Sequence, residues 1–165
     1  MGNLSDFFAA AGGGGALVQA VRAELTSRVT VGGNTPTQIL TCNITPQYDD
    51  SIIEIFGILQ HTGNHVNSFG IYKNGSPIYT LSGNNNDTGL QHTNYGAPIT
   101  STTEYGYQIV QPFASYDTSG TTSAITYALM FTTSWSGTGY TSYVGDRSSS
   151  DMLGKTFMFI KELRP

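Results

Sequence analysis

Charged side chains make up only 11% of this chain, against about 25% in an average soluble protein, and its seven Lys and Arg form no cluster. With a net charge of −4, the chain lacks the electrostatic attraction that drives non-specific binding to nucleic acid or to an anionic membrane. Nucleic acid is therefore excluded as an expected partner. Cysteine is almost missing as well. Cys42 alone excludes an intramolecular disulfide and a multi-cysteine metal site, and its apolar, β-branched surroundings predict a buried, inert thiol. No apolar run approaches the ~20 residues of a membrane-spanning helix, so no membrane insertion is expected. The start has no basic segment, and four glycines, Gly12 to Gly15, break its apolar stretch. This reads against a secretory signal. Asp6 stands where a myristoylation motif after Met1-Gly2 needs Ser or Thr, so lipidation is not expected either.

Catalytic signatures are also lacking. There is no Gly-x-Ser-x-Gly, phosphate loop or dinucleotide fingerprint. His61 and His65 are four apart, but Gly63-Asn64 between them argues for a loop rather than one ligand-bearing helix face. Adding His92 and Asp87 fixes no geometry. Asp49 and Asp50 are adjacent, which suits a turn better than a catalytic pair. Glu54 with Glu104, and Asp117 or Asp146 in Ser/Gly-rich stretches, make no better constellation. The expectation is a protein that is not an enzyme and uses no cofactor or metal.

What fills the space left by charge is Ser, Thr, Asn, Gly and aromatic residues, including ten Tyr. The 165 residues suit one domain with a real core plus an appendage. The most telling stretch is residues 156–163, in which Phe157-Met158-Phe159-Ile160 are four consecutive large apolar residues. So short a run reads as a strand buried on both faces. Phe157 and Phe159 then point one way, Met158 and Ile160 the other. One pair fills the interior of a sandwich, and the other needs a cover, most simply another subunit. Residues 52–59 form a second strongly apolar strand, with Ile53, Ile55 and Gly57 on one face and Ile52, Glu54, Phe56 and Ile58 on the other. Asn74-Gly75 between two β-rich runs specifies a tight hairpin.

Further strands are expected at 28–31, 38–44, 104–110, 123–133 and 137–144, with a polar loop over 82–96. About eight strands joined by short turns predict an all-β, antiparallel two-sheet sandwich of jelly-roll or Greek-key kind over residues 29–165. Residues 1–28 are read as an N-terminal arm. In it, Leu4, Phe7 and Phe8 share one face of a helical turn ahead of the glycine hinge, either as a docking device or as a frayed start. Residues 16–25, with Leu17, Val18, Val21 and Leu25 at intervals of three and four, are read as one short helix or an extended arm. The Tyr residues mostly pack on strand faces in this reading. Trp135, Tyr140 and Tyr143 are the best candidates for an exposed receptor- or glycan-binding patch.

Three features resemble small virion structural proteins of tailed bacteriophages that carry a C1q/TNF-like jelly roll. One is the opening Asn3-Leu4-Ser5-Asp6-Phe7 followed by Gly12 to Gly15. Another is the strand and hairpin from Ile53 to Leu59 and Gly70-Ile71-Tyr72-Lys73-Asn74-Gly75. The third is the ending, in which a strand like 125–133, a Tyr/Gly segment, a loop at Asp146-Arg147 to Ser150 and an apolar terminal strand with Lys161-Glu162 follow in order. The resemblance implies a homotrimer, an arm attached to other virion proteins of the capsid or tail, and an outward jelly roll. Its role would be that of a short tail fibre or a capsid decoration protein assembled in the bacterial cytoplasm, with host surface glycan as an alternative partner. The chain departs from fibres in lacking a long coiled coil or repeat shaft.

Overall fold

The computed structural model describes residues 15–32, 35–62, 67–78, 91–94, 108–133, 141–145 and 155–164. They form eleven strands and, among the described residues, no helix: β1 (Leu17–Glu24), β2 (Val29–Gly32), β3 (Thr37–Ile44), β4 (Ile52–Thr62), β5 (Asn67–Lys73), β6 (Ser76–Pro77), β7 (Gln91–Asn94), β8 (Gln108–Thr118), β9 (Ile125–Thr133), β10 (Thr141–Val144) and β11 (Phe157–Leu163). All pairings are antiparallel. One sheet runs β1, β11, β4, β8 from edge to edge, and at the far end of β4, past its pairing with β11, β10 pairs with β4 and β2 with β10. The second sheet runs β3, β9, β5, and then β6 and β7 against β5. Consecutive long strands thus alternate between sheets in the jelly-roll manner, which is the all-β sandwich expected.

β4 and β11 sit centrally in the first sheet, as their double-sided apolar character requires. Along β4, Ile53, Ile55 and Leu59 are fully buried, and along β11 Met158 and Ile160 are. They meet Ile44, Phe69, Ile71, Ile125, Tyr127, Leu129 and Phe131 of the second sheet in one core. Each such side chain contributes about 1.5–3 kcal/mol by leaving water. Gly57 lies on the inward row of β4 because nothing larger fits. A Cβ there would strike the Phe157 carbonyl oxygen and come within 2.6 Å of Phe113 Cζ, so the Phe113 ring crosses the strand where a side chain is missing. The expected hairpin is present, with Asn74 at φ 49° and Gly75 at φ 85°, the left-handed geometry that Asn-Gly adopts at least cost. Asn74 Oδ1 accepts from the Thr126 N–H at 2.9 Å, which fixes the hairpin to β9.

Three expectations need correction. Residues 16–25 are not helical: β1 is an edge strand paired with β11 from Leu17 to Glu24, so of the two forms considered the extended one is realised, and it is part of the sandwich rather than of a separate arm ending at 28. The ladder with β11 outweighs the weak preference of so short a segment. The polar stretch 82–96 holds a strand, β7, against β5. The strand expected over 104–110 continues to Thr118, through Pro112; residues 104–107 lie outside the described ones.

Candidate functional site

The terminal strand's two faces have separate roles. Met158 and Ile160 point inward and are inaccessible to solvent; Phe157 and Phe159 point to the outer face of the first sheet and are partly exposed. Register places Phe159 beside Phe56 and Phe157 beside Ile58 on β4. On β8 the same outer rows continue with Ala114 beside Phe56 and Tyr116 beside Glu54. The two Phe rings stack, with centroids 5.3 Å apart and planes at 8°, and Phe157 meets Phe159 edge-on at 5.6 Å. Among the described residues no second sheet covers this side.

Cations line the aromatic row. The Arg22 guanidinium on β1 lies 5.3 Å from the centroids of both Phe157 and Phe159, and Lys161 Nζ lies 4.7 Å from that of Phe56. Such contacts are worth ~0.5–1 kcal/mol at exposed sites. They also shield part of each ring from water. Glu24 pairs with Arg22 at 2.6 Å and with Lys155, and the Lys155 contact holds its carboxyl below its ordinary pKa. Beyond the rings the face opens into a groove of about 410 Å³ lined by Glu54, Ile55, Phe56, Ala114, Ser115 and Tyr116. Tyr116 is 75% exposed and Val110 59% exposed. Both belong to the outward row of β8, opposite Glu54 and Gln60. The arrangement is an aromatic and aliphatic surface with a charged border, suited to contact with another macromolecular surface.

The other candidates fare differently. Tyr143 lies on β10, partly buried beneath the Arg28 guanidinium at 4.5 Å from its ring centroid; Trp135 and Tyr140 lie outside the described residues, as do Leu4, Phe7 and Phe8. His61 is fully buried, 5.1 Å from the Phe131 ring, so it belongs to the core; His65 is outside the described residues. Asp49 and Asp50 form a turn. Asp117 accepts the Tyr127 hydroxyl at 2.8 Å and pairs with Lys73 at 2.7 Å, tying β8 to the second sheet. Burial and then this Asp117 contact push the Tyr127 phenol well above its ordinary pKa. Cys42 is buried and free, and burial raises its thiol pKa. Among the described residues no group of three or more His, Cys, Asp or Glu could hold a metal ion, and no helix is long and apolar enough to cross a membrane.

Tyr116, Val110 and Arg22 escaped the sequence reading. The alternation Val110, Pro112, Ala114, Tyr116 was a usable signal for the first two, masked by a proline in mid-strand, which edge strands tolerate.

No protein-family model matches the chain, and no curated protein matches it. Solved structures of similar shape include infectious bursal disease virus, Gt strain, at 12% identity and TM-score 0.48, covering 88% of this chain and 33% of that one. The T13 particle of the same virus aligns at 14% identity and TM-score 0.41, covering 88% and 35%. The insecticidal delta-endotoxin Cry8Ea1 of Bacillus thuringiensis aligns at 8% identity and TM-score 0.45, covering 83% and 20%. This chain thus spans about a third or less of the length of the first two solved chains.

Proposed function

We propose that this chain is a structural component of a bacteriophage virion that self-associates as a homotrimer through the outer face of its β1, β11, β4, β8 sheet. It would serve as a capsid decoration protein or short tail fibre. The observation that carries the reading is the Phe56, Phe157, Phe159 row beside the exposed Tyr116: three aromatic rings and a groove on a sheet face that no described strand covers. A contiguous apolar face of this kind marks an interaction surface in a soluble protein. Self-association is the simplest cover, because each copy brings the same rings and the same flanking charges of both signs, Arg22 and Lys161 against Glu24 and Glu54. The virion assignment rests on the sequence resemblance at the opening, at the middle strand and hairpin, and at the ending of the chain. In this reading the N-terminal segment, with Leu4, Phe7 and Phe8, joins the trimer to other virion proteins.

Immunogold labelling of purified particles with antibody against the sandwich tests the assignment. Label on the head favours decoration and label on the tail favours a fibre; unlabelled particles would reject the virion role.

A further inference from the structure

At the end of the sandwich where the described chain begins, Glu162 points inward from β11 and is fully buried. Its Oε1 accepts from the backbone N–H of Gln47 at 2.8 Å, that of Tyr48 at 3.2 Å and Ser51 Oγ at 2.7 Å. Its Oε2 accepts from Gln19 Nε2 at 2.6 Å. All these donors are neutral, and among the described residues Glu162 has no ion-pair partner. A buried carboxylate satisfied by neutral donors alone is held by geometry.

The contacts join separate elements. Gln19 belongs to β1 and also donates to the Thr45 carbonyl at 2.7 Å. Gln47, Tyr48 and Ser51 form the β3–β4 connection. That connection is tied to the β8–β9 turn by Ser119, whose N–H donates to the Ser51 carbonyl and whose hydroxyl donates to the Tyr48 carbonyl, each at 2.9 Å. Among the described residues β1 is otherwise an edge strand, paired on one side to β11, with Val21 and Ala23 only partly buried against the core.

We propose that Glu162 is an acid-released latch that holds β1, the first described strand, against the rest of the domain. Protonation adds an O–H among groups that all donate to the carboxylate, so one of these bonds must break or, at the Ser51 hydroxyl, reverse, and those that remain lose their charge assistance. The other charged groups nearby leave the latch to Glu162. On β1, Arg22 and Glu24 engage each other on the outer face. On β11, Lys161 lies toward Glu54 at 3.9 Å, and the neighbouring Arg164 sits 4.6 Å from the Tyr48 ring centroid. Asp117 near the β8–β9 turn pairs with Lys73, and Asp49 and Asp50 belong to the turn whose Gln47 and Tyr48 N–H groups bind the carboxylate.

Burial pushes the Glu162 carboxyl up, but the bonds from Gln19, Ser51, Gln47 and Tyr48 outweigh it and hold the pKa below its ordinary 4.5. A lowered folded-state pKa means that the stabilisation is present above the ordinary carboxylate value and lost as pH falls through the lowered one. Loosening β1 would also lift Arg22 from the Phe157 and Phe159 rings, linking the latch to the apolar face.

Hydrogen exchange of the full chain, corrected for intrinsic amide rates, at about pH 7 and about pH 3 tests this. Protection of Leu17–Glu24 should fall about tenfold or more at the lower pH relative to Ile125–Thr133. In Gln19→Leu, which cuts the ties from β1 to Glu162 and to the Thr45 carbonyl, protection of β1 should already be reduced at neutral pH, with little further change in acid. In Glu162→Gln, β1 should be loosened at both pH values; should that variant not fold, Gln19→Leu carries the comparison alone. Unchanged β1 protection in acid, or loss only in step with β9, would overturn the latch.

Discussion

Phe159→Asp and Met158→Asp alter neighbouring residues of one strand and should have opposite consequences. Met158 is inaccessible to solvent, so an aspartate there places an unpaired charge in the core, a change in the severe class of more than about 4 kcal/mol, and the chain should fail to fold. Phe159 faces outward, and an aspartate in its place finds water and the Arg22 guanidinium, now 5.3 Å from the ring centroid. The variant should fold. Its association should suffer. A fully enclosed aromatic side chain buries ~150–250 Å², so covering Tyr116, 75% exposed, together with the partly exposed rings of Phe56, Phe157 and Phe159 removes on the order of 300 Å² per copy. At ~25 cal/mol per Å² that is about 7 kcal/mol before association costs. Replacing one ring by a carboxylate pressed against a neighbour's apolar surface should forfeit about 3–4 kcal/mol, a factor of about 10²–10³ in dissociation constant. Circular dichroism reports the fold and sedimentation equilibrium the mass. An associated Phe159→Asp variant of unchanged affinity, or a folded Met158→Asp beside an unfolded Phe159→Asp, would refute the assignment of the two faces.

Gly57→Ala should lower stability by about 1–3 kcal/mol in urea titration, because the new Cβ strikes the Phe157 carbonyl and Phe113 while both strands are held in register. Tyr127→Phe removes the hydroxyl that Asp117 accepts and should cost about 1–3 kcal/mol. Since burial raises the Tyr127 pKa above its ordinary 10.0, its contribution is complete below that value and is lost as pH rises above it; alkaline destabilisation measured by thermal melting should be smaller in the variant. The Cys42 thiol should resist a neutral disulfide reagent in the native protein and react fully in denaturant, with rapid native labelling contradicting its burial.

Alternation made the centre of the fold legible. Ile53, Ile55 and Leu59 against Phe56 and Ile58, and Met158 and Ile160 against Phe157 and Phe159, are period-two patterns on strands paired on both sides, and Asn74-Gly75 needs left-handed geometry wherever it stands. The edges were not legible. At 17–25 the apolar residues fall at both two- and three-residue intervals, and the choice is made by hydrogen bonds to β11, more than a hundred residues away in the chain. Gln91 to Asn94 has nothing apolar to mark it; its pairing with β5 makes it a strand. The candidate site was half legible. The sequence showed that one face of 157–160 needed a cover, but which face depends on Gly57 and Phe113, whose juxtaposition only the register of β4, β8 and β11 creates. Tyr116 was hidden because Pro112 reads as the end of a strand, whereas on an edge strand a missing N–H is tolerated.

In the proposed trimer the outer face of the β1, β11, β4, β8 sheet is the self-association surface. Size-exclusion chromatography with light scattering on the full chain at micromolar concentration measures this directly. A mass of three chains, reduced to one by Phe159→Asp, is the predicted result; a clean monomer of the unmodified chain would contradict it.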